Sequence, residues 1–135
     1  MTESGAQADD RIRNVPPNGT TPSSSLQQAS LAVRERIGDG TIVIELAGDL
    51  DMATEDLVRD ALANAAAQRP ERLVIDLSDL SFIDSSGIRL MVVAHQRFSD
   101  GGGTTLEIRP GNRSVQRVFE VTQLDEVLPF VKRSG

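Results

Sequence analysis

The stretch Leu73-Val74-Ile75-Asp76-Leu77-Ser78-Asp79-Leu80-Ser81-Phe82-Ile83-Asp84-Ser85-Ser86-Gly87-Ile88-Arg89-Leu90-Met91-Val92-Val93 decides the fold. Its first third is dense in branched apolar residues, which pack well on a pleated surface, so Leu73 to Leu77 reads as a buried strand. Its last third sets Ile88, Met91 and Val92 three or four residues apart, with Leu90 and Val93 beside them, which predicts a mostly buried helix to about Ser99. Between the two, Asp84-Ser85-Ser86-Gly87 supplies short side chains able to cap the first N–H groups of that helix. A serine at such a junction sits where backbone amides and the helix dipole favour negative charge.

Working outward toward the C-terminus, Asp100-Gly101-Gly102-Gly103 is a helix stop and link. These glycines follow a helix and precede a strand, whereas phosphate-cradling loops open a helix, so a phosphate loop is excluded here. Thr104 to Ile108 reads as a further strand and Pro110-Gly111-Asn112 as a turn. A short helix follows from about Arg113 to Val121 on Val115, Val118 and Phe119, with Leu124 packing just beyond. Leu128 to Val131 reads as a last short strand, limited to an edge by Pro129.

Toward the N-terminus, Ser30 to Ile37 alternates Leu31, Val33, Glu35 and Ile37 against Ala32, Arg34 and Arg36. Gly38-Asp39-Gly40 then marks a turn, and Thr41 to Leu46 a second strand, so these two form an antiparallel hairpin with a three-residue link. Arg34 and Arg36 on the solvated face protect an edge strand from pairing with other chains. Gly48-Asp49-Leu50-Asp51 ends the second strand and leads to a helix from Thr54 that stops near Gln68, before Pro70. Leu57, Val58, Ala61, Leu62 and Ala65 form its apolar stripe, and its acidic residues gather in the first turn where the dipole favours them. Asp49 and Asp51 admit two local readings, turn-capping groups or a cation site, and such carboxylates cap turns more often.

Strand, helix, strand, helix, strand in this order implies right-handed crossovers. The expected architecture is one α/β domain with a mixed sheet of four to five strands, an antiparallel N-terminal hairpin and parallel β-α-β units. Residues 1–27 are rich in Ser, Thr, Pro, Gly, Asn and Gln and nearly devoid of large apolar side chains. They cannot bury enough surface to offset ordering entropy, so a disordered tail is expected there and the domain over 28–135.

Composition removes several function classes. The net charge of −6 and an aromatic content of 3%, with no Tyr or Trp, argue against nucleic acid, which needs a basic stripe or a stacking platform. Without Cys there is no thiol chemistry, and a single His makes an imidazole metal site untenable, so no metal or other cofactor is expected. No apolar run approaches the roughly 20 residues that span a bilayer, and no basic-then-apolar segment opens the chain, so no membrane partner and a cytoplasmic location are expected. Catalysis by a serine needs a base within about 3 Å. His95 lies nearly three helical turns beyond Ser85, roughly 15 Å at about 1.5 Å per residue, and the Gly-x-Ser-x-Gly elbow is missing. No catalytic residue is therefore assigned and the chain is not expected to be an enzyme. A serine lacking a local base can still accept a phosphoryl group when another protein brings ATP, metal and base. The residues alone leave two roles open for Ser85 and Ser86, helix caps or a phosphate acceptor.

The run Leu80-Ser81-Phe82-Ile83-Asp84-Ser85-Ser86-Gly87-Ile88, behind an apolar strand and with Gly48-Asp49-Leu50-Asp51 upstream, resembles a STAS domain. Within that group it is most similar to the bacterial anti-sigma factor antagonists, over roughly Leu31 to Val131. The resemblance implies the same fold and makes Ser85, directly after the aspartate, the residue phosphorylated by an ATP-binding anti-sigma factor serine kinase. It further implies that the unphosphorylated form binds this kinase and releases a sigma factor, and that a PP2C-type phosphatase could reverse the switch. Asp84, Ser86 and Gly87 then support the phosphosite, and Asp49, Asp51 and Ile88 help dock the partner; Arg89, four residues after Ser85 and so on the same helix face, supports the phosphosite by its spacing. Many relatives carry Gly-Leu-Gly after the two serines where this chain has Gly87-Ile88-Arg89, a departure that bears on which kinase it meets. The alternative within the same group is a STAS scaffold or lipid-transport accessory subunit that is never phosphorylated.

Overall fold

The computed structural model describes residues 30–131, so the expectation for the tail falls outside the described span. The elements in order are β1 (Leu31–Gly38), β2 (Thr41–Leu50), α1 (Glu55–Ala67), β3 (Arg72–Ile83), α2 (Ser85–Phe98), β4 (Thr105–Arg109), α3 (Arg113–Val121) and a 3-10 turn at Leu124–Glu126. They build one sheet of four strands in the order β1-β2-β3-β4. The β1–β2 pair is antiparallel, and the β2–β3 and β3–β4 pairs are parallel. This is the mixed α/β architecture that the pattern of elements implies.

Four details depart from the sequence reading. The hairpin turn has two residues rather than three, Asp39 and Gly40, both with positive φ (54° and 77°). That backbone matches the right-handed twist of the strands it joins, and Gly adopts it without strain. Both inner strands run further than their apolar cores, β2 to Leu50 and β3 to Ile83, so Gly48 and Asp49 lie in a strand rather than after one. Strand β3 has 12 residues and β2 has 10, and the difference of two is taken up by register shifts between Glu45 and Ala47 and between Gly48 and Asp49. Each shift places one extra β3 residue in the ladder, which raises local twist and carries the strand end toward the serine loop. The expected strand at Leu128–Val131 is reduced to a single bridge of Phe130 to Ile108, closed by hydrogen bonds of Ile108 N–H to Pro129 O and of Val131 N–H to Ile108 O, both 2.9 Å. Pro129 has no N–H to extend that ladder.

The core lies on one face of the sheet. Registered layers Ile42–Leu73–Leu106 and Ile44–Ile75–Ile108 pack with Val58, Ala61, Leu62 and Ala65 of α1 and Leu90, Met91 and Ala94 of α2 in one buried cluster. Each fully buried Val, Leu, Ile or Met side chain among them contributes roughly 1.5–3 kcal/mol of transfer free energy. Phe119 of α3 is also fully buried and meets Phe130 edge-on with ring centroids 5.1 Å apart. The fourth departure concerns faces. Leu57, Val93 and Ile37 are exposed, so the stripes of α1 and α2 are narrower than their sequences suggest, and the distal half of β1 stands clear of the helices.

The opposite face carries charge in pairs. Arg36 meets Glu45 at 3.3 Å, Arg109 meets Asp76 at 3.4 Å, and Arg72 forks onto Glu107 at 2.7 and 2.8 Å. Val74, on the same face, is fully buried. Among the described residues no helix is long and apolar enough to cross a membrane.

Candidate functional site

Helix α2 starts at Ser85 because Asp84 stops being a strand residue and becomes its cap. Its backbone is extended (φ −112°, ψ −170°), and its carboxylate Oδ1 accepts from the N–H groups of Ser86 (2.8 Å) and Gly87 (3.2 Å). Capping thus falls to the aspartate and not to either serine, which leaves both hydroxyls unengaged among the described residues. Ser85 is exposed at the first helical position, and Ser86 is half-buried behind it.

The same aspartate ties the serine junction to the β2–α1 loop. Asp84 N–H donates to Leu50 O at 3.1 Å, and Asp84 Oδ2 accepts from Met52 N–H at 3.3 Å. The loop is itself braced. Asp51 Oδ1 accepts from Ala53 N–H (2.9 Å) and Thr54 N–H (3.2 Å), and the buried Thr54 hydroxyl donates to Asp49 O (2.8 Å) while accepting from Asp51 N–H (3.0 Å). Asp51 is therefore a turn-capping carboxylate. Asp49, paired with Phe82 in the ladder, has a half-buried side chain with no hydrogen bond or ion pair among the described residues. No group of three or more His, Asp or Glu side chains is placed to hold a metal among the described residues.

Gly87 is where the two segments touch most closely. A Cβ at this position would stand 2.6 Å from Ile83 Cγ1 and 2.8 Å from Leu50 Cγ, both buried side chains. Only a residue without a side chain lets α2 start against the ends of β2 and β3. Ile88 is partly buried against the core, and Arg89 is exposed one turn after Ser85 with no carboxylate within ion-pair distance among the described residues. The structure thus joins the helix start that carries Ser85, Ser86, Gly87 and Arg89, through Asp84, to the end of β2 with Asp49 and the loop of Asp51. Sequence reasoning missed Met52 and Phe82, which are 75% and 50% exposed although both are large and apolar. Their signal was a large apolar side chain in a short loop, at Asp51-Met52-Ala53, and one on the alternate face of a strand, at Ser81-Phe82-Ile83.

The displaced pKa values lie away from this site, on the charged sheet face. Burial pushes the Asp76 carboxyl up, but hydrogen bonds with Ser78 and the Arg109 guanidinium outweigh it and hold the group below its ordinary value. The hydrogen bond from Arg72 lowers Glu107 and, reciprocally, raises Arg72. These are structural ion pairs and not a tuned acid–base set. His95 contacts Ser99 Oγ at 3.2 Å near the far end of α2, so it serves no serine at the helix start. An open cleft of about 340 Å³ lies at that far end too, lined by Ala66, Arg69, Arg97, Phe98, Gly102 and Thr104.

Fold and site together define a small α/β domain that presents a solvent-facing serine on a capped helix start. The chain belongs to the STAS domain family, whose model matches residues 30–134. It is 30% identical over 92 residues to the anti-sigma F factor antagonist of Paenibacillus polymyxa, covering 67% of this chain and 78% of that protein. A solved anti-sigma factor antagonist from Mycobacterium paratuberculosis superposes with a TM-score of 0.67 at 26% identity, over 77% of this chain and 87% of that one. SpoIIAA in its unphosphorylated form shares the fold with a TM-score of 0.64 at 23% identity, over 76% of this chain and 89% of that one. The Bacillus SpoIIAA structure in the phosphorylated form gives 0.59 at 22% identity, over 76% and 92%. Other relatives are likewise named as antagonists of anti-sigma factors, among them the anti-sigma-B factor antagonist of Bacillus subtilis, 26% identical over 96 residues, covering 71% of this chain and 86% of that protein.

Proposed function

We propose that this chain is an anti-sigma factor antagonist whose unphosphorylated form binds an ATP-binding anti-sigma factor serine kinase, releasing a sigma factor, and whose binding is turned off by phosphorylation of Ser85. The observation that carries this reading is the state of Ser85. It is exposed, its hydroxyl is unengaged among the described residues, and the aspartate before it does the capping that would otherwise occupy a serine there. A phosphate at such a position changes the surface charge by nearly two units without entering the core. The adjoining docking surface is supplied by Asp51 and exposed Met52 of the β2–α1 loop, joined to the serine through Asp84, with Asp49 at the end of β2 and half-buried Ile88 on α2. A phosphatase of the PP2C type would restore binding.

Incubation with the cognate kinase and Mg-ATP tests this directly. One phosphate is expected, placed on Ser85 by mass spectrometry. Ser85→Ala should lose the label yet still bind, Ser86→Ala should keep it, and Ser85→Asp should bind more weakly because its charge must be desolvated against the partner. Label retained in Ser85→Ala and lost in Ser86→Ala would move the acceptor to Ser86. Modification of neither serine would leave the chain as an unphosphorylated scaffold and sink the switch.

A further inference from the structure

We propose that Arg89 is the group that receives a phosphate on Ser85, in place of the amides of the helix start. The inference rests on the reading of Ser85 as the acceptor. A helix N-terminus ordinarily holds a phosphate through its free N–H groups. In α2 two of the first three are already taken, because Asp84 Oδ1 accepts from Ser86 and Gly87. Its other oxygen accepts from Met52, so the carboxylate is held by three amides from two segments and stays in place. A phosphate on Ser85 therefore meets a fixed negative charge and needs a cation from elsewhere.

Arg89 is placed to supply it. Side chains on a helix lean toward its N-terminus, so a residue four positions on covers the one before it, and the two side chains share a face. Across the loop Leu50–Thr54 and the first two turns of α2, Arg89 is the one cation, while the carboxylates of the same junction are Asp84, Asp51 and, at the strand end, Asp49. It is exposed and makes no ion pair among the described residues, and the first turn of α2 holds no acidic residue to engage it. Its position near the positive end of the helix is an unfavourable one for a cation until a dianion arrives. The planar guanidinium then forks onto two phosphate oxygens, a geometry that an ammonium does not reproduce.

The test places phosphoserine at position 85 of the full chain during translation, so that no kinase is required. The second phosphate ionisation, ordinarily near pH 6, is then followed by phosphorus NMR. Arg89→Ala should raise that pKa by about half a unit, the size of an exposed ion pair of charge-assisted hydrogen bonds. Arg89→Lys should restore part of the difference, and about 1 M salt should shrink it, since screening there acts over roughly 3 Å. An unchanged pKa in Arg89→Ala, with the melting temperature also unchanged, overturns the proposal. A kinase that never labels Ser85 would sink the functional reading alone, because the pairing is measured on a phosphate put there by translation.

Discussion

Replacing Gly87 by Ala perturbs the contact on which the serine junction is built. The added methyl would stand 2.6 Å from Ile83 Cγ1, 2.8 Å from Leu50 Cγ and 3.0 Å from Leu50 Cδ2. Neither neighbour can swing aside, since Leu50 is fully buried and Ile83 is 4% exposed in the core cluster. The start of α2 must therefore retreat from β2 and β3. Overpacking of this kind costs about 1–3 kcal/mol, and the better helix propensity of Ala returns at most about 1 kcal/mol. A net loss of about 1–2 kcal/mol is expected, which for a domain of this size is a fall of roughly 5–15 °C in melting temperature. Urea unfolding and thermal melts measure it, with Gly102→Ala as the control, because a Cβ there meets nothing within 4 Å. In a Leu50→Ala background the same substitution should lose part of its penalty, since two of the three close contacts are then gone while that to Ile83 remains, and a double-mutant cycle reads this as favourable coupling. A Gly87→Ala protein within about 0.5 kcal/mol of the parent, the range of an inert surface change, would refute the close-packing argument. So would a penalty of equal size with and without Leu50.

Two further outcomes follow from the same framework. Asp84→Ala strands the amides of Ser86, Gly87 and Met52 and should cost about 2 kcal/mol, the upper range for a lost cap. Hydrogen exchange should quicken at all three amides, whereas unchanged exchange at Met52 would mean that Asp84 does not bridge the loop. On the charged face, Asp76 has its folded-state pKa below the unfolded value, so its contribution is complete above about pH 4 and is lost as pH falls through the lower folded value. Stability from urea titrations should drop on that acid limb, and Asp76→Asn should flatten it. An identical limb in the variant would count against the pairing with Ser78 and Arg109.

Much of the fold was legible because its signals are local. The branched run Leu73–Leu77, the apolar spacing of α3 and the breakers Pro70 and Gly101 act through neighbours a few residues away, and α3 falls on Arg113–Val121 as its spacing predicts. The candidate site was legible in outline for the same reason, since short polar residues between a strand and a helix announce a capped junction. Which of them caps was not. Asp, Ser and Ser are all good caps by type, and the choice fell to Asp84 because Leu50 O and Met52 N–H hold it from a segment more than thirty residues away. Asp51 and Asp49 could not be separated in sequence either, because the difference lies in Thr54, which bonds the main chain of both while only Asp51 turns its carboxylate back onto the loop.

By itself, the sequence determined the order of strands and helices, the hairpin, the place of the serine junction and the classes of chemistry that a chain without Cys and with a single His does not perform. These rest on composition and on periodicities set by backbone geometry. Tertiary structure alone decided how far β2 and β3 extend, since Ser78 to Phe82 become strand only because Ala47 to Asp49 pair with them across two register shifts. It also decided which apolar side chains remain outside, Met52 and Phe82 among them, and that Gly87 must be glycine. Each depends on atoms brought together from distant parts of the chain, where packing distance and hydrogen-bond partners override what a residue's own neighbours prefer.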